Sequence, residues 1–191
     1  MEAFLVSLTS VAIAEIGDRT QLLSLALAAH YRNPFLIIAG IFIATIANHA
    51  IAGALGAWFG RLLTPNVLDI LVGVSMLAMA LWVLHADTLK DGTKVSNHSA
   101  FVATVAAFFI AEIGDKTQIA TLALAAAYPQ LVAVVAGTTA AMLIANVPAV
   151  FLGDALSGRL PIRQMNYVAS LIFAALGVFF IARVVLRVQG A

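Results

Sequence analysis

Six long apolar segments constrain this sequence more than any other feature. A helix needs about 20 mostly apolar residues to cross the hydrocarbon layer of a membrane. The segments cover residues 3–29, 35–59, 67–86, 100–127, 130–153 and 164–186. They are continuously apolar and lack the alternating polarity of transmembrane strands. With 63% hydrophobic and 10% charged residues, the chain has more apolar surface than a soluble core of its size can bury. We therefore predict an all-α polytopic membrane protein with six transmembrane helices.

The two halves of the sequence repeat each other. Residues 14–31 match residues 111–128, 97 positions further on, at 13 of 18 positions. The match continues weakly, and Asn48 recurs one residue out of register as Asn146. Each copy holds three predicted spans, an odd number, so the second copy starts on the opposite side of the membrane. Such inverted repeats are typical of secondary transporters, which bind their substrate near the midplane where the repeats meet.

This repeat divides the chain into three parts. The first three-helix repeat covers residues 1–86, a central polar loop covers 87–99, and the second repeat covers 100–191. The loops after spans one, three and five carry the basic residues Arg32, Lys90, Lys94, Arg159 and Arg163. By the positive-inside rule, these loops face the cytoplasm and both termini lie outside. We therefore expect a multi-pass inner-membrane protein with a cytoplasmic central loop.

Four carboxylates lie inside the predicted spans: Glu15 and Asp18 in the first, Glu112 and Asp115 in the fourth. An ionisable side chain at membrane depth is disfavoured by at least about 2.5 kcal/mol on insertion scales. The chain has nine acidic residues, and it places these four at matching positions of the two repeats. We therefore predict that the four carboxylates are functional and meet across the pseudo-symmetry axis.

Neutral oxygens accompany each pair of acids. A Glu and an Asp three residues apart share one face of a helix, and a glutamine three residues further on continues that stripe. The candidate supporting ligands are Thr20, Gln21, Thr117 and Gln118, with Asn48 and Asn146 in spans two and five. The asparagines, and His49 beside them, have an alternative role in hydrogen bonding between packed helices. The glycine between the acids, Gly17 or Gly114, makes a local break of the helix easier.

One basic residue follows each glutamate by four positions, Arg19 after Glu15 and Lys116 after Glu112. This spacing favours an intrahelical ion pair. Either the pairs only neutralise charge so that the spans can insert, or the cations tune the carboxylates. Neutralisation leaves the two aspartates unexplained. Asp69 and Asp154 lie at span ends, where we expect both to be solvated.

The ligand set is suited to a hard divalent cation. Carboxylate, amide and hydroxyl oxygens are the ligands preferred by Ca²⁺, Mn²⁺ and Mg²⁺. The chain contains no cysteine, which excludes a thiolate site. Its net charge of +1 gives no basic field for nucleic acid. The expected partners are therefore a divalent cation, protons and the lipid bilayer, and the sequence leaves monomer and homodimer open.

The doubled Glu-x-Gly-Asp-(Lys/Arg)-Thr motif in a six-span chain resembles the family of Golgi and bacterial manganese/calcium:proton exchangers, in the cation/calcium exchanger superfamily. The resemblance covers nearly the whole chain, and the short form is similar to bacterial manganese exporters. It implies a secondary active transporter that exports Mn²⁺ in exchange for protons, without a cofactor. It also implies that Glu15, Asp18, Glu112 and Asp115 act as ligands and proton carriers.

Other functions stay open at this point. The cation could be Ca²⁺, which also takes oxygen ligands. A transporter of another substrate, such as a lysine exporter, would not depend on metal. An intramembrane enzyme could use paired carboxylates as acid and base, although it would not need matching Thr and Gln in both repeats. An assembly factor without transport would tolerate loss of all four acids.

Overall fold

The computed structural model describes residues 1–15, 18–84, 99–152 and 162–189, without the side chains of residues 19, 82, 83, 152, 162–166, 169 and 189. Eight helices make up this part of the chain. They are α1 (Glu2–Glu15), α2 (Arg19–Tyr31), α3 (Pro34–Leu62), α4 (Pro65–Val83), α5 (Ala100–Glu112), α6 (Lys116–Ala127), α7 (Leu131–Leu152) and α8 (Ile162–Gln189). The prediction of an all-α polytopic membrane protein is confirmed. Most of the central loop predicted at 87–99 lies outside the described residues.

Four predicted spans are continuous helices and two are broken. By length and composition, three stretches of the described helices could cross a membrane: Pro34–Leu62, Leu131–Phe151 and Ser170–Val188. α4, with 19 residues, corresponds to the third predicted span. Spans one and four each consist of two half-helices, α1 with α2 and α5 with α6, of 12 to 14 residues. A 13-residue helix is about 20 Å long, so each broken span needs both halves to cross the membrane.

The break between α5 and α6 is explained by the backbone conformation of Gly114. α5 ends at Glu112 and α6 begins at Lys116, and between them Gly114 has a φ of +72°, in the left-handed region. A Cβ atom at Gly114 would meet nothing within 4 Å. The glycine is therefore required by the backbone conformation and not by close packing.

The repeats pack reciprocally. A Cβ atom on Gly40 of α3 would lie 2.7 Å from Cβ of Thr104 on α5. At the matching position of α7, a Cβ atom on Gly137 would lie 3.0 Å from Cβ of Ser7 on α1. The second span of each repeat thus packs against the first half-helix of the other. This is the contact expected between two intertwined units related by an approximate two-fold axis.

The third spans of the repeats also cross reciprocally. A Cβ atom on Gly73 of α4 would lie 2.6 Å from Cγ1 of Ile181 and 2.9 Å from the carbonyl oxygen of Gly177. A Cβ atom on Gly177 of α8 would lie 2.8 Å from both Cγ of Leu77 and the carbonyl oxygen of Gly73. α4 and α8 therefore approach each other to backbone distance, as small residues allow in membrane helices.

Buried side chains inside the bundle contrast with an exposed apolar exterior. Phe108, Phe173 and Phe180 are fully buried. Large apolar side chains on the outside are highly exposed, including Ile110 at 69% and Leu171 at 70%. An exterior of this kind is stable only in an apolar solvent.

The prediction that Asp69, near the start of α4, is solvated is wrong. Asp69 is 4% exposed and not solvated. Its Oδ2 atom lies 2.7 Å from Nη1 of Arg187 and 3.7 Å from Nε of Arg183, both on α8. These ion pairs connect the start of α4 to the end of α8. Asp154 lies outside the described residues.

Candidate metal site

The two broken helices position the four acids of the motifs. Glu15 is the last residue of α1 and Glu112 the last residue of α5. Asp18 and Asp115 are the N-caps of α2 and α6, with nearly identical backbone angles of φ −75°, ψ 162° and φ −75°, ψ 161°. Each aspartate accepts a hydrogen bond from the backbone N–H of the threonine two residues on, at 3.3 Å and 3.5 Å. Aspartate is favoured at this position because it satisfies a free N–H of the first turn.

Three of these acids converge. Carboxylate oxygens of Glu15, Asp18 and Asp115 all lie within 4.8 Å of one another, and the three residues are at most 3% exposed. We call them the three-carboxylate cluster. It joins both acids of the first motif to one acid of the second. Three buried carboxylates at this separation require a positive charge or protons among them, and their oxygens suit a hard divalent cation.

The fourth acid, Glu112, is hydrogen-bonded to side chains of α3 and is not part of the cluster. It is fully buried. Its Oε1 atom accepts a hydrogen bond of 2.8 Å from the hydroxyl of Thr45, and its Oε2 atom accepts one of 3.4 Å from the amide of Asn48. Thr45 is not among the site residues predicted from the sequence. A signal was available, because Thr45 lies three residues before Asn48 and therefore on the same face of the helix.

Glu15 has different partners from Glu112. The hydroxyl of Thr20 donates a hydrogen bond of 3.0 Å to Oε2 of Glu15. Oε1 of Glu15 is buried and has no hydrogen-bond partner among the described residues. Met142 and Ala145 stand on α7 where α3 has Thr45 and Asn48, 97 residues earlier, so these positions offer Glu15 no side-chain donor. The two glutamates are therefore inequivalent in this structure.

The glutamines differ in the same way. The amide nitrogen of Gln21 donates a hydrogen bond of 2.8 Å to the carbonyl oxygen of Ala145 on α7. Oε1 of Gln118 instead accepts a hydrogen bond of 2.8 Å from the backbone N–H of Gly114. Gln118 thus stabilises the break in its own span. The prediction of one helical stripe from Glu to Gln is wrong, because each helix ends at its glutamate.

The threonines of the motifs remain close to the acids. The hydroxyl of Thr20 also lies 3.3 Å from Oδ2 of Asp18, and the hydroxyl of Thr117 lies 3.3 Å from Oδ2 of Asp115. Both threonines are fully buried. They therefore lie beside the acids, and their role as supporting ligands stays a prediction.

The hydrogen bonds of Asn146 are with α2 and with its own helix, α7. Its Oδ1 atom accepts a hydrogen bond of 2.8 Å from the hydroxyl of Ser24 on α2, and its amide donates one of 3.0 Å to the carbonyl oxygen of Met142. The amide of Asn48 donates both to Oε2 of Glu112 and to the carbonyl oxygen of Phe109, the latter at 3.1 Å. His49 is buried, and neither ring nitrogen has a hydrogen-bond partner in the described part of the chain.

The ion-pair partner of Lys116 differs from the one predicted from the sequence. The sequence spacing favoured a bond to Glu112 within one helix, but the break lies between the two residues. The ammonium of Lys116 is instead ion-paired with Oδ1 of Asp18, in the other repeat. The corresponding side chain, Arg19, lies outside the described part, so its predicted pair with Glu15 stays a prediction.

Comparison with known proteins gives two matches. A family model described as the divalent cation/proton antiporter GDT1 matches residues 3–91 and 100–186. The chain is also 48% identical over 174 residues to a Vibrio cholerae serotype O1 protein named "Putative manganese exporter". That alignment covers 91% of this chain and 87% of the relative. No solved structure matches the chain.

Proposed function

The chain belongs to the GDT1 family of divalent cation/proton antiporters, and on that premise we propose that it exports Mn²⁺ from the cytoplasm in exchange for protons. The observation that carries this proposal is the convergence of Glu15, Asp18 and Asp115 in one buried cluster with ligand atoms within 4.8 Å. The choice of Mn²⁺ rests on the name of the 48% identical relative. Both motifs contribute to the cluster, so cation binding involves both repeats.

Exchange follows from the charge of the cluster. Three ionised carboxylates in a dry site are strongly disfavoured without a counter-charge. A divalent cation supplies that charge on the outward leg of the cycle. On the return leg, after the cation has left, the ammonium of Lys116 pairs with Asp18 and protons supply the remaining charge. A channel would not need this alternation, and a buried site with several acids is suited to a carrier.

The inequivalence of the glutamates supports alternating access. In this structure Glu15 belongs to the three-carboxylate cluster, while Glu112 is bonded to Thr45 and Asn48. In inverted repeats, the opposite-facing state arises when the two repeats exchange conformations. Glu112 then takes the place of Glu15 beside the two aspartates. All four predicted acids are thus used, three at a time.

The remaining predicted groups have supporting roles in this proposal. Thr20 and Thr117 orient the carboxylates, Gln21 connects α2 to α7, and Asn48 connects Glu112 to α3. Gln118 fixes the break, and Asn146 fixes α2 against α7. Arg19 and Lys116 tune the charge of the site. The protein lies in the bacterial inner membrane with its termini outside and residues 87–99 in the cytoplasm, and the two three-helix repeats, 1–86 and 100–191, form one transport domain.

Transport by purified protein in proteoliposomes tests the proposal. A pH gradient should drive Mn²⁺ against its concentration gradient, and dissipating the gradient with a protonophore should stop it. Ca²⁺ and Mg²⁺ measured in parallel decide the preferred cation, with Ca²⁺ as the alternative substrate. A protein in which all four acids are neutralised is the control. Mn²⁺ movement that ignores the pH gradient, or that persists in the control, would overturn the proposed function.

A further inference from the structure

Lys116 is ion-paired with an acid of the site and carries a charge of the same sign as the substrate. It is one of three lysines in the chain and is 3% exposed. It is the first residue of α6, while its partner Asp18 caps the start of α2. The side chains of Lys116 and Asp18 are 4% and 0% exposed, so this ion pair is shielded from water.

The ammonium occupies an oxygen that the cation site needs. Oδ1 of Asp18 is paired with Lys116, and Oδ2 receives hydrogen bonds from the backbone N–H and hydroxyl of Thr20, each at 3.3 Å. Both oxygens of Asp18 are therefore engaged. A cation can coordinate this carboxylate at full strength only if the ammonium leaves. Close by, Oε1 of Glu15 is buried without a hydrogen-bond partner among the described residues.

A buried ammonium at the start of α6 is stabilised only by the nearby carboxylates. The start of a helix carries a partial positive charge, which repels a cation. Burial removes the ammonium from water, which is also unfavourable. The attraction that holds the ammonium is therefore the negative charge of the cluster, the same attraction that binds a metal ion. The flexible four-carbon stem of lysine allows the ammonium to move away.

We propose that the ammonium of Lys116 is a tethered competitor of the transported cation, occupying Asp18 in the cation-free state and leaving when the cation binds. The inference rests on the proposed function of the three-carboxylate cluster as the cation site. Its consequence is a lowered affinity, which allows a site with several carboxylates to release a divalent ion at the end of each cycle.

Mn²⁺ binding to the purified protein, followed by electron paramagnetic resonance at one fixed pH, tests the competition. Lys116→Met removes the ammonium and keeps most of the side-chain volume. We expect its dissociation constant for Mn²⁺ to be at least about tenfold lower than that of the unaltered protein. Lys116→Arg is the matched control, because a guanidinium pairs with a carboxylate through two hydrogen bonds and is harder to displace. Its dissociation constant should be severalfold higher.

A second pair of variants separates competition for Asp18 from simple charge repulsion. If Lys116 competes for that carboxylate, adding Lys116→Met to Asp18→Asn should change the dissociation constant by less than about threefold. An equal gain in both backgrounds would overturn the competition. Unchanged or weaker binding in folded Lys116→Met would also overturn it, as would unchanged binding in Lys116→Arg if the methionine variant fails to fold. Absence of Mn²⁺ binding to the unaltered protein, or binding that ignores Asp18, would instead contradict the proposed function.

Discussion

Thr45 on α3 donates a hydrogen bond of 2.8 Å to the carboxylate of Glu112 at the end of α5, so the second span of one repeat holds the glutamate of the other. The matching position on α7 is Met142, which has no hydroxyl. This difference distinguishes the two glutamates in this structure, and it predicts that substitutions at matching positions of the repeats have different effects.

Replacing Thr45 with Val should impair transport. The change keeps the shape of the side chain but leaves Oε1 of buried Glu112 without this donor, which is worth about 1–3 kcal/mol for a charged acceptor. We expect the Mn²⁺ transport rate in proteoliposomes to fall by about tenfold at equal protein density. Thr45→Ser, which keeps the hydroxyl, should retain most of the activity. Equal rates for the Val and Ser variants would show that this hydrogen bond has no part in transport.

The four acids are expected to be individually necessary. Glu15→Gln, Asp18→Asn, Glu112→Gln and Asp115→Asn each remove a charge and little volume, so the protein should still insert and fold. Transport should fall below detection in each variant, because all four acids serve during the cycle. Proton-driven Mn²⁺ flux, with protein content measured in the same vesicles, checks this. Normal flux in Glu112→Gln would contradict the exchange of glutamates between the two states.

Gly114 should be intolerant of a side chain for conformational reasons. Its φ of +72° is strained for L residues, and Gly114→Ala should lower the free energy of unfolding by about 1–2 kcal/mol. Asparagine tolerates the left-handed region better, so Gly114→Asn should be less destabilising. Thermal unfolding in detergent compares the two variants. Greater loss with Asn than with Ala would indicate that space, and not backbone conformation, requires the glycine.

The Asp69 ion pairs should stabilise the bundle without forming part of the cation site. Asp69→Asn weakens the contacts with Arg187 at 2.7 Å and Arg183 at 3.7 Å. We expect a loss of about 1 kcal/mol in the free energy of unfolding, since partial exposure of the arginines weakens the ion pairs. The Mn²⁺ dissociation constant should stay within about twofold, because the ion-pair partners of Asp69 lie on α8 and belong to neither motif. A large change in affinity would show that this end of α4 and α8 is coupled to cation binding.

Much of the architecture was accessible from the sequence. Hydropathy identified the six spans, because the apolar length needed to cross a membrane is fixed by the bilayer. The repeat of residues 14–31 at 111–128 identified the motifs, and the glycine between the acids indicated where a helix could break. Three of the four predicted acids do converge, since Glu15, Asp18 and Asp115 form one buried cluster.

The partners of these acids were not accessible, because they depend on where the helices end. Helical spacing relates Glu112 to Lys116 only if the helix continues between them, and the left-handed Gly114 interrupts it. Because the span is broken, Asp115 is the N-cap of α6, and Lys116 forms its ion pair with Asp18 of the other repeat. The choice of Thr45 as the partner of Glu112 depends on the packing of α3 against α5. Similarly, the burial of Asp69 arises from α8, which is distant in sequence.

The position of bound Mn²⁺ tests the central claim most directly. Crystals of the protein grown or soaked with Mn²⁺ should give an anomalous scattering peak at the manganese edge among Glu15, Asp18 and Asp115, with the ammonium of Lys116 moved away from Asp18. In a state facing the other side, the peak should lie among Glu112, Asp18 and Asp115. A peak at any other group of residues, with the three carboxylates still bonded as they are here, would contradict the account.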